Sequence, residues 1–116
     1  MLNRVCIAGR MTRDPELKRT QTGKAVCTVR IAVDKKDGTD FFDVVTWNGL
    51  AENMSKNTRK GKLVVFDGRL QTREYEKDGI KRTVTEIVAD SATFAGEIPK
   101  EKPQLAEIDE EGELPF

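Results

Sequence analysis

Three aromatic side chains lie among cationic ones in the middle of the chain. Phe41 and Trp47 are six residues apart in one predicted strand, so they share a face, and Tyr75 lies at the end of a later strand. The cations around them are Arg69, Arg73, Lys77, Lys81 and Arg82. A flat exposed ring can stack on an unpaired base while a cation neutralises a phosphate, and single-strand binding needs both in one groove. These residue types therefore predict a binding surface for single-stranded nucleic acid.

Hydrophobicity does not fix the face on which Phe41 and Trp47 lie. Both faces of the segment FFDVVTW carry aromatic residues or valines, so the alternative is a core position for these two rings, with Phe42 and Val44 outward. Asp43 lies on the side of Phe41 and Trp47, and a carboxylate favours the solvent. We therefore expect Phe41 and Trp47 to be exposed.

Patterns that would indicate catalysis are weak in this sequence. The chain has no histidine, which is the commonest general base and metal ligand, and it has no Gly-rich phosphate loop. Four acidic residues could be imagined as a metal cluster, but they lie in turns or alternate with apolar strand residues: Asp14, Glu16, Asp40 and Asp43. We interpret them as solvated carboxylates and expect no enzymatic activity, no cofactor and no metal.

Five strands are predicted to position the aromatic and cationic residues. Composition and alternation place them over residues 3–11, 25–34, 41–47, 62–75 and 82–94. In the second of them one face carries Ala25, Cys27, Val29, Ile31 and Val33, and the other carries Thr28 and Arg30. Asp37-Gly38 and Asp78-Gly79 predict hairpin turns, and Gly68 predicts a bulge or a sharp bend within the fourth strand.

One helix is predicted over residues 48–61, between the third and fourth strands. Asn48 or Gly49 could cap its start, and Gly61 suits the left-handed position just past its end. Residues spaced for one helix face are Leu50, Met54 and Thr58. Three strands, a helix and two further strands is the order of an OB-fold, an all-β five-stranded Greek-key barrel with its helix at one end. A generic five-stranded sandwich is the alternative.

Cysteine usage and hydropathy bear on the compartment. Cys6 and Cys27 are far apart and each lies in an apolar run, so we expect two buried free thiols rather than a disulfide or a metal pair. No stretch approaches the roughly 20 apolar residues of a membrane span. The opening MLNRVCIAGR alternates like a strand and lacks the apolar core of a signal peptide. We expect a cytoplasmic protein.

The chain's formal net charge of zero is the sum of two segments of opposite sign. Residues 1–96 hold 18 basic and 13 acidic residues, a net charge of +5, and residues 97–116 hold 2 and 7, a net charge of −5. The basic segment suits a polyanion, or else an evenly solvated surface. We expect a folded domain over 1–95, a short flexible linker over 96–106 and an acidic tip over 107–116, with a disordered tail.

Three segments resemble the bacterial-type single-stranded DNA-binding proteins, the SSB family, which includes many phage-encoded members. They are NRVCIAGRMTRDPE (3–16), FFDVVTWNGLAENMSKNTRKG (41–61) and VVFDGRLQTREY (64–75), and the match runs in order through nearly the whole chain. The resemblance implies an OB-fold that binds single-stranded DNA without strong sequence preference in DNA replication, recombination and repair. It further implies a homotetramer at the nucleoid.

The resemblance also implies residue roles where the motifs match. The base-stacking residues would be Phe41, Trp47 and Tyr75, and the DNA backbone-binding cations would be Arg4, Lys60, Arg73 and Arg82. The chain departs from the family pattern in three places. The loop VDKKDGTD lacks a usual aromatic, and Gly49 and Glu74 stand where a lysine is common. These departures suggest a weaker or narrower contact path for DNA.

The last residues combine acidic groups with an apolar end. In the SSB family such a tip docks onto replication, repair and recombination proteins, which here would involve Asp109, Glu110, Glu111, Glu113, Leu114, Pro115 and Phe116. A terminal Phe side chain can fill an apolar pocket while its carboxylate pairs with a basic rim and the upstream acids steer the encounter. A purely solubilising tail is the alternative.

Two other functions compete with single-strand binding. One is an OB-fold replication-initiation adaptor that acts mainly through protein–protein contacts. The other is a small nucleic-acid enzyme such as a nuclease, which the absence of histidine disfavours.

Overall fold

The computed structural model describes residues 1–95, which form six strands and one helix. They are β1 (Val5–Met11), β2 (Lys18–Arg19), β3 (Ala25–Lys35), β4 (Gly38–Trp47), α1 (Asn48–Asn57), β5 (Leu63–Lys77) and β6 (Ile80–Phe94). The five long strands lie where the sequence predicts strands, and the two-residue β2 adds to the edge of β3. The expected linker and acidic tip, residues 96–116, lie outside the described residues.

The five long strands close into a barrel. Strand β5 pairs antiparallel with β1 and with β6, β3 pairs antiparallel with β4, and β4 runs parallel to β6. The barrel closes where β1 meets β3, with Arg10 opposite Ala32 and Met11 opposite Ile31. A closed five-stranded barrel with one helix between β4 and β5 is an OB-fold, which confirms the predicted fold and rules out the sandwich.

The core consists of the inward faces of the strands and one face of the helix. On β3 the alternation predicts the buried face correctly for its first four members, although Val33 is only half-buried near the far end of the strand. The largest fully buried side chain is Phe66 on β5. Ala51 and Met54 of α1, both fully buried, join the same cluster, so the helix packs on the barrel.

Gly68 marks the bulge that the sequence predicts in β5. The register between β5 and β6 shifts at Asp67 and Gly68. A Cβ atom at residue 68 would lie 2.0 Å from the carbonyl oxygen of Val88, so only glycine fits there. The predicted hairpin turn beyond the bulge is also present, with φ angles of 55° at Asp78 and 76° at Gly79.

The helix ends earlier than predicted, at Asn57 rather than just before Gly61. Thr58 has extended backbone, and its amide and hydroxyl both donate to the carbonyl oxygen of Met54, at 3.2 and 2.6 Å. The helix ends at this point because the extended backbone of Thr58 does not continue it, and the hydroxyl of Thr58 gives the Met54 carbonyl a second donor. Gly61 has a left-handed φ of 91°, but it lies in the following turn, where its amide donates to Met11.

The prediction that Asn48 or Gly49 caps the start of the helix is also wrong. Trp47 occupies the N-cap position with extended backbone and makes no side-chain capping bond. Asn48 has a left-handed φ of 54°, which turns the chain sharply from β4 into α1.

No helix within residues 1–95 is long and apolar enough to cross a membrane.

The two cysteines differ in burial, so half of that prediction is wrong. Cys27 is 1% exposed in the core, whereas Cys6 is exposed. The reason is the alternation of β1, whose inward residues Val5 and Ile7 pack against the core and leave Cys6 on the outer side. Both thiols are free, and burial raises the pKa of the Cys27 thiol.

Candidate nucleic-acid interface

The aromatic residues of β4 lie on the outer side of the barrel. The β3–β4 ladder places Ala32 opposite Phe41, Arg30 opposite Asp43 and Val26 opposite Trp47, and we call this surface the β3–β4 outer face. Phe41 is 50% exposed and Trp47 is 38% exposed. The expected exposure of both rings is therefore confirmed, while their role in binding stays a prediction.

Phe42 shows why exposure alone does not define this surface. It is 38% exposed although it belongs to the opposite side of β4, which continues into the fully buried Val44 and Thr46. At Phe42 the strand still pairs with β3, opposite Ile31, but it does not pair with β6, which meets β4 at Val44 and Val45. A cleft of about 340 Å³ opens between this part of β4 and the β5–β6 hairpin, lined among others by Phe41, Phe42, Leu70 and Ile87.

Arg30 is a site residue that the sequence reasoning did not single out. Its guanidinium carbon lies 5.4 Å from the centre of the Phe41 ring, and its Nη1 lies 3.5 Å from an oxygen of Asp43. The available signal was its place opposite Ala25, Cys27 and Val29 in the alternation of β3, which directs it outward. Arg30 thus adds a cation to the aromatic surface.

Tyr75 lies on the β5–β6 hairpin, beyond the barrel wall. It is 43% exposed and faces Arg82 across the ladder. Arg73, two residues earlier, is on the same side of β5 as Tyr75 and lines a cleft together with Trp47. Arg73 therefore connects the surface around Trp47 with the hairpin that carries Tyr75.

Arg73 is held by a buried carboxylate. Its Nε donates to Oε1 of Glu86 at 2.7 Å, and Nε2 of Gln71 lies 3.4 Å from the same oxygen. Glu86 is only 5% exposed, whereas the Arg73 side chain is 55% exposed. The hydrogen bond from Arg73 to Glu86 raises the pKa of Arg73, so this guanidinium is charged at every working pH.

Arg4 is engaged by two carboxylates. Its Nη1 donates to Asp90 at 2.9 Å and its Nη2 to Asp67 at 2.6 Å. These hydrogen bonds raise the pKa of Arg4, and the bond to Asp90 has the larger effect on it. Much of its positive charge is therefore neutralised locally.

The other two cations with an expected DNA contact, Lys60 and Arg82, have exposed side chains. Lys60 uses its backbone amide to bind Asp14 at 2.8 Å, and neither its ammonium group nor the Arg82 guanidinium makes an ion pair within residues 1–95. The four predicted backbone-binding cations thus fall into two that are ion-paired and two that make no ion pair in the described part of the chain.

Three of the four acidic residues considered for a metal cluster, Asp14, Asp40 and Asp43, contact other groups. Besides the contact of Asp14 with the Lys60 amide, Asp40 pairs with Lys35 at 2.9 Å and Asp43 with Arg30. In the part of the chain that the structure describes, no group of three or more His, Cys, Asp or Glu residues is placed to hold a metal ion.

An OB barrel with exposed rings and cations on this face has the architecture of the OB-folds that bind single-stranded nucleic acids. Residues 2–95 match the Single-strand binding protein family, and the chain belongs to that family.

Named relatives extend over most of the chain. A single-stranded DNA-binding protein of Clostridium tetani is 52% identical over 101 residues, which is 80% of this chain and 70% of the relative. Single-stranded DNA-binding protein 3 of Listeria innocua is 47% identical over 81% of this chain and 64% of its own length. Single-stranded DNA-binding protein 1 of Staphylococcus aureus is 45% identical over 81% and 65%. The chain thus spans about two thirds of the length of these relatives.

Proposed function

We propose that this protein binds single-stranded DNA without strong sequence preference and catalyses no reaction. The observation that carries the proposal is the pair of exposed rings, Phe41 and Trp47, on the outer face of an OB barrel with cations beside them. Membership of the Single-strand binding protein family and the names of the relatives support the same ligand.

Binding would combine stacking with phosphate neutralisation. Bases would stack on Phe41, Trp47 and Tyr75, each worth about 1–3 kcal/mol. Lys60 and Arg82, whose side chains make no ion pair among residues 1–95, would contact phosphates, so the affinity would fall steeply with salt. Coverage of this kind shields an unpaired strand from nucleases and from re-pairing.

We infer that the protein assembles as a homotetramer. Family membership supports this assembly. So do the large apolar side chains beside the cleft between β4 and the β5–β6 hairpin, where Phe42 is 38% and Leu70 46% exposed. Exposed apolar side chains grouped in a cleft are typical of interaction surfaces. Light scattering measures the number of subunits directly, and a monomer at micromolar concentration would contradict this assembly.

The acidic tip would recruit partner enzymes in replication, recombination and repair, at the nucleoid. Its carboxylates and the terminal Leu-Pro-Phe are suited to a basic-rimmed apolar pocket. Deletion of Phe116 should leave DNA binding unchanged and abolish partner capture in a pull-down. Recovery of the same partners without Phe116 would contradict this role.

The central experiment uses Trp47 as its reporter, because it is the only tryptophan in the chain. Single-stranded DNA should quench its fluorescence through stacking, duplex DNA should compete weakly, and higher salt should weaken the binding. Unchanged fluorescence with single strands, or equal affinity for duplex, would contradict the proposal. A labelled strand incubated with Mg²⁺ should be recovered intact, and cleavage would indicate a nuclease instead.

A further inference from the structure

A cleft of about 290 Å³ lies beside Trp47 on the outer side of the barrel. Its lining residues come from four strands: Val26, Thr28, Val45, Trp47, Gln71, Arg73 and Glu86. Val45 is 6% exposed and Val26 is half-buried, so part of the lining is apolar. Trp47 adds a flat ring, and Arg73 and Gln71 bring polar groups. An apolar cleft with a few convergent polar groups is suited to a flat ligand with a polar edge, such as a nucleobase.

Among the described residues, Arg73 is held in this cleft through its Nε nitrogen. Its Nε is bound to Glu86 at 2.7 Å, and the side chain of Glu86 is only 4% exposed. A buried carboxylate is strongly destabilising without its cation, so this pair holds the guanidinium in place. The two terminal Nη nitrogens of Arg73 make no ion pair within residues 1–95, and together they present a planar fork of donors.

Such a fork matches two adjacent acceptors in one plane. Guanine presents O6 and N7 in this arrangement, and an arginine bonded to both is the commonest specific contact to this base. Adenine has an amino donor where guanine has O6, so it offers the fork one acceptor and one opposing donor. A phosphate would also match the fork, but a phosphate gains nothing from the apolar lining and the indole ring.

We propose that this cleft is a guanine-preferring subsite within the single-stranded DNA track. The proposal rests on the proposed function and deepens it, since it gives a modest base preference to an otherwise general surface. Arg73 reads the base edge instead of contacting the phosphate backbone. Glu86 is a positioning residue, which acts by holding Arg73.

The test compares strands that differ only at the base in question. Equal-length oligonucleotides of repeated dT-dT-dG, dT-dT-dA and dT-dT-7-deaza-dG are titrated into the full-length protein while Trp47 fluorescence is followed. We expect about fivefold tighter binding of the guanine strand than of the adenine strand. The 7-deaza strand, which lacks the N7 acceptor, should lose most of that advantage. Equal affinities within about twofold would overturn the subsite and leave general binding intact, whereas a failure of all three strands to bind would overturn the proposed function itself.

Variants assign the preference to Arg73. Arg73→Lys keeps the charge and removes the planar fork, so the guanine-to-adenine ratio should fall to about one. Glu86→Gln should lower the ratio by releasing the guanidinium. Arg59→Lys, an exposed arginine outside the cleft, is the control for the same chemical change and should keep the ratio of the unchanged protein. An unaltered ratio in Arg73→Lys, with all strands weakened equally, would assign Arg73 to phosphate and overturn the proposal.

Discussion

Arg30 lies over the ring of Phe41, with its guanidinium carbon 5.4 Å from the ring centre. The two residues are on neighbouring strands and face outward together. A cation over an exposed ring contributes about 0.5–1 kcal/mol, which restricts the ring to fewer orientations. An aromatic surface held in this way loses less conformational entropy when a base stacks on it.

Replacement of Phe41 tests whether this surface binds DNA. Phe41→Leu keeps an apolar side chain but removes the flat ring, so affinity for single-stranded DNA should fall by about 1–3 kcal/mol. Phe42→Leu is the matched control, because Phe42 is the next residue, is also exposed and belongs to the opposite side of β4. Titrations of both variants, compared at equal assembly state, should separate them by about tenfold. Equal losses would mean that the side of β4 does not determine contact with DNA.

The salt dependence of binding should distinguish the paired cations from the unpaired ones. Log affinity falls as log salt rises, and Lys60→Ala and Arg82→Ala should each make this fall less steep. The slope should change by about 0.7 in each variant, the value for one phosphate contact on a single strand. Arg4→Ala should change the slope much less, because Asp67 and Asp90 already neutralise Arg4. Affinities measured at four or more salt concentrations give these slopes. A loss in Arg4→Ala as large as in Lys60→Ala would contradict the assignment.

The sequence predicts where these cations stand in the chain but not which of them are paired. Arg4 meets Asp67 and Asp90 across 63 and 86 positions, and such contacts follow from the barrel's closure rather than from local pattern. The outward side of β3 was predictable, since its alternation is regular. The sides of β4 were not fixed by hydrophobicity, because Phe42 is apolar and on the inner side, yet it is exposed where β4 no longer pairs with β6.

The difference in burial between the two cysteines should appear as a difference in reactivity. Burial raises the pKa of Cys27, so at a mildly alkaline pH less of it is in the reactive thiolate form, and the thiol is also shielded from reagents. In Cys6→Ser the remaining Cys27 should react with a disulfide reagent about a hundredfold or more slowly than Cys6 does in Cys27→Ser, because it reacts only when the barrel opens. Denaturant should remove this difference. Similar rates in the folded proteins would contradict the buried position of Cys27.

Local pattern was least informative at the ends of α1. The spacing predicts Thr58 on the inner face of a longer helix, and Thr58 is buried, but its backbone is extended and the helix stops at Asn57. A threonine can either continue a helix or end it, and the choice depends on tertiary contacts. The bulge at Gly68 and the Asp78-Gly79 turn were predictable because glycine at those positions meets a backbone requirement that other residues do not.

Two glycines test the barrel itself, because a side chain would clash with the backbone at Gly68 and would not at Gly49. A Cβ atom at Gly68 would lie 2.0 Å from the carbonyl oxygen of Val88 and 2.8 Å from the Cα of Ala89, so backbone rather than a flexible side chain would have to move. Gly68→Ala should therefore lower the free energy of unfolding by about 3 kcal/mol or more.

Gly49 is the matched control, because it lies in α1 with helical backbone, and within residues 1–95 a methyl group added to its Cα would meet nothing within 4 Å beyond its chain neighbours and the backbone of its own helix. Gly49→Ala should raise the free energy of unfolding by about 0.5–1 kcal/mol through helix propensity. Urea unfolding followed by far-UV circular dichroism measures both variants. If Gly68→Ala were as stable as the unchanged protein, β5 and β6 would not approach each other closely at the bulge. The direction of the hairpin that carries Arg73 and Tyr75 would then also differ from the one in this structure.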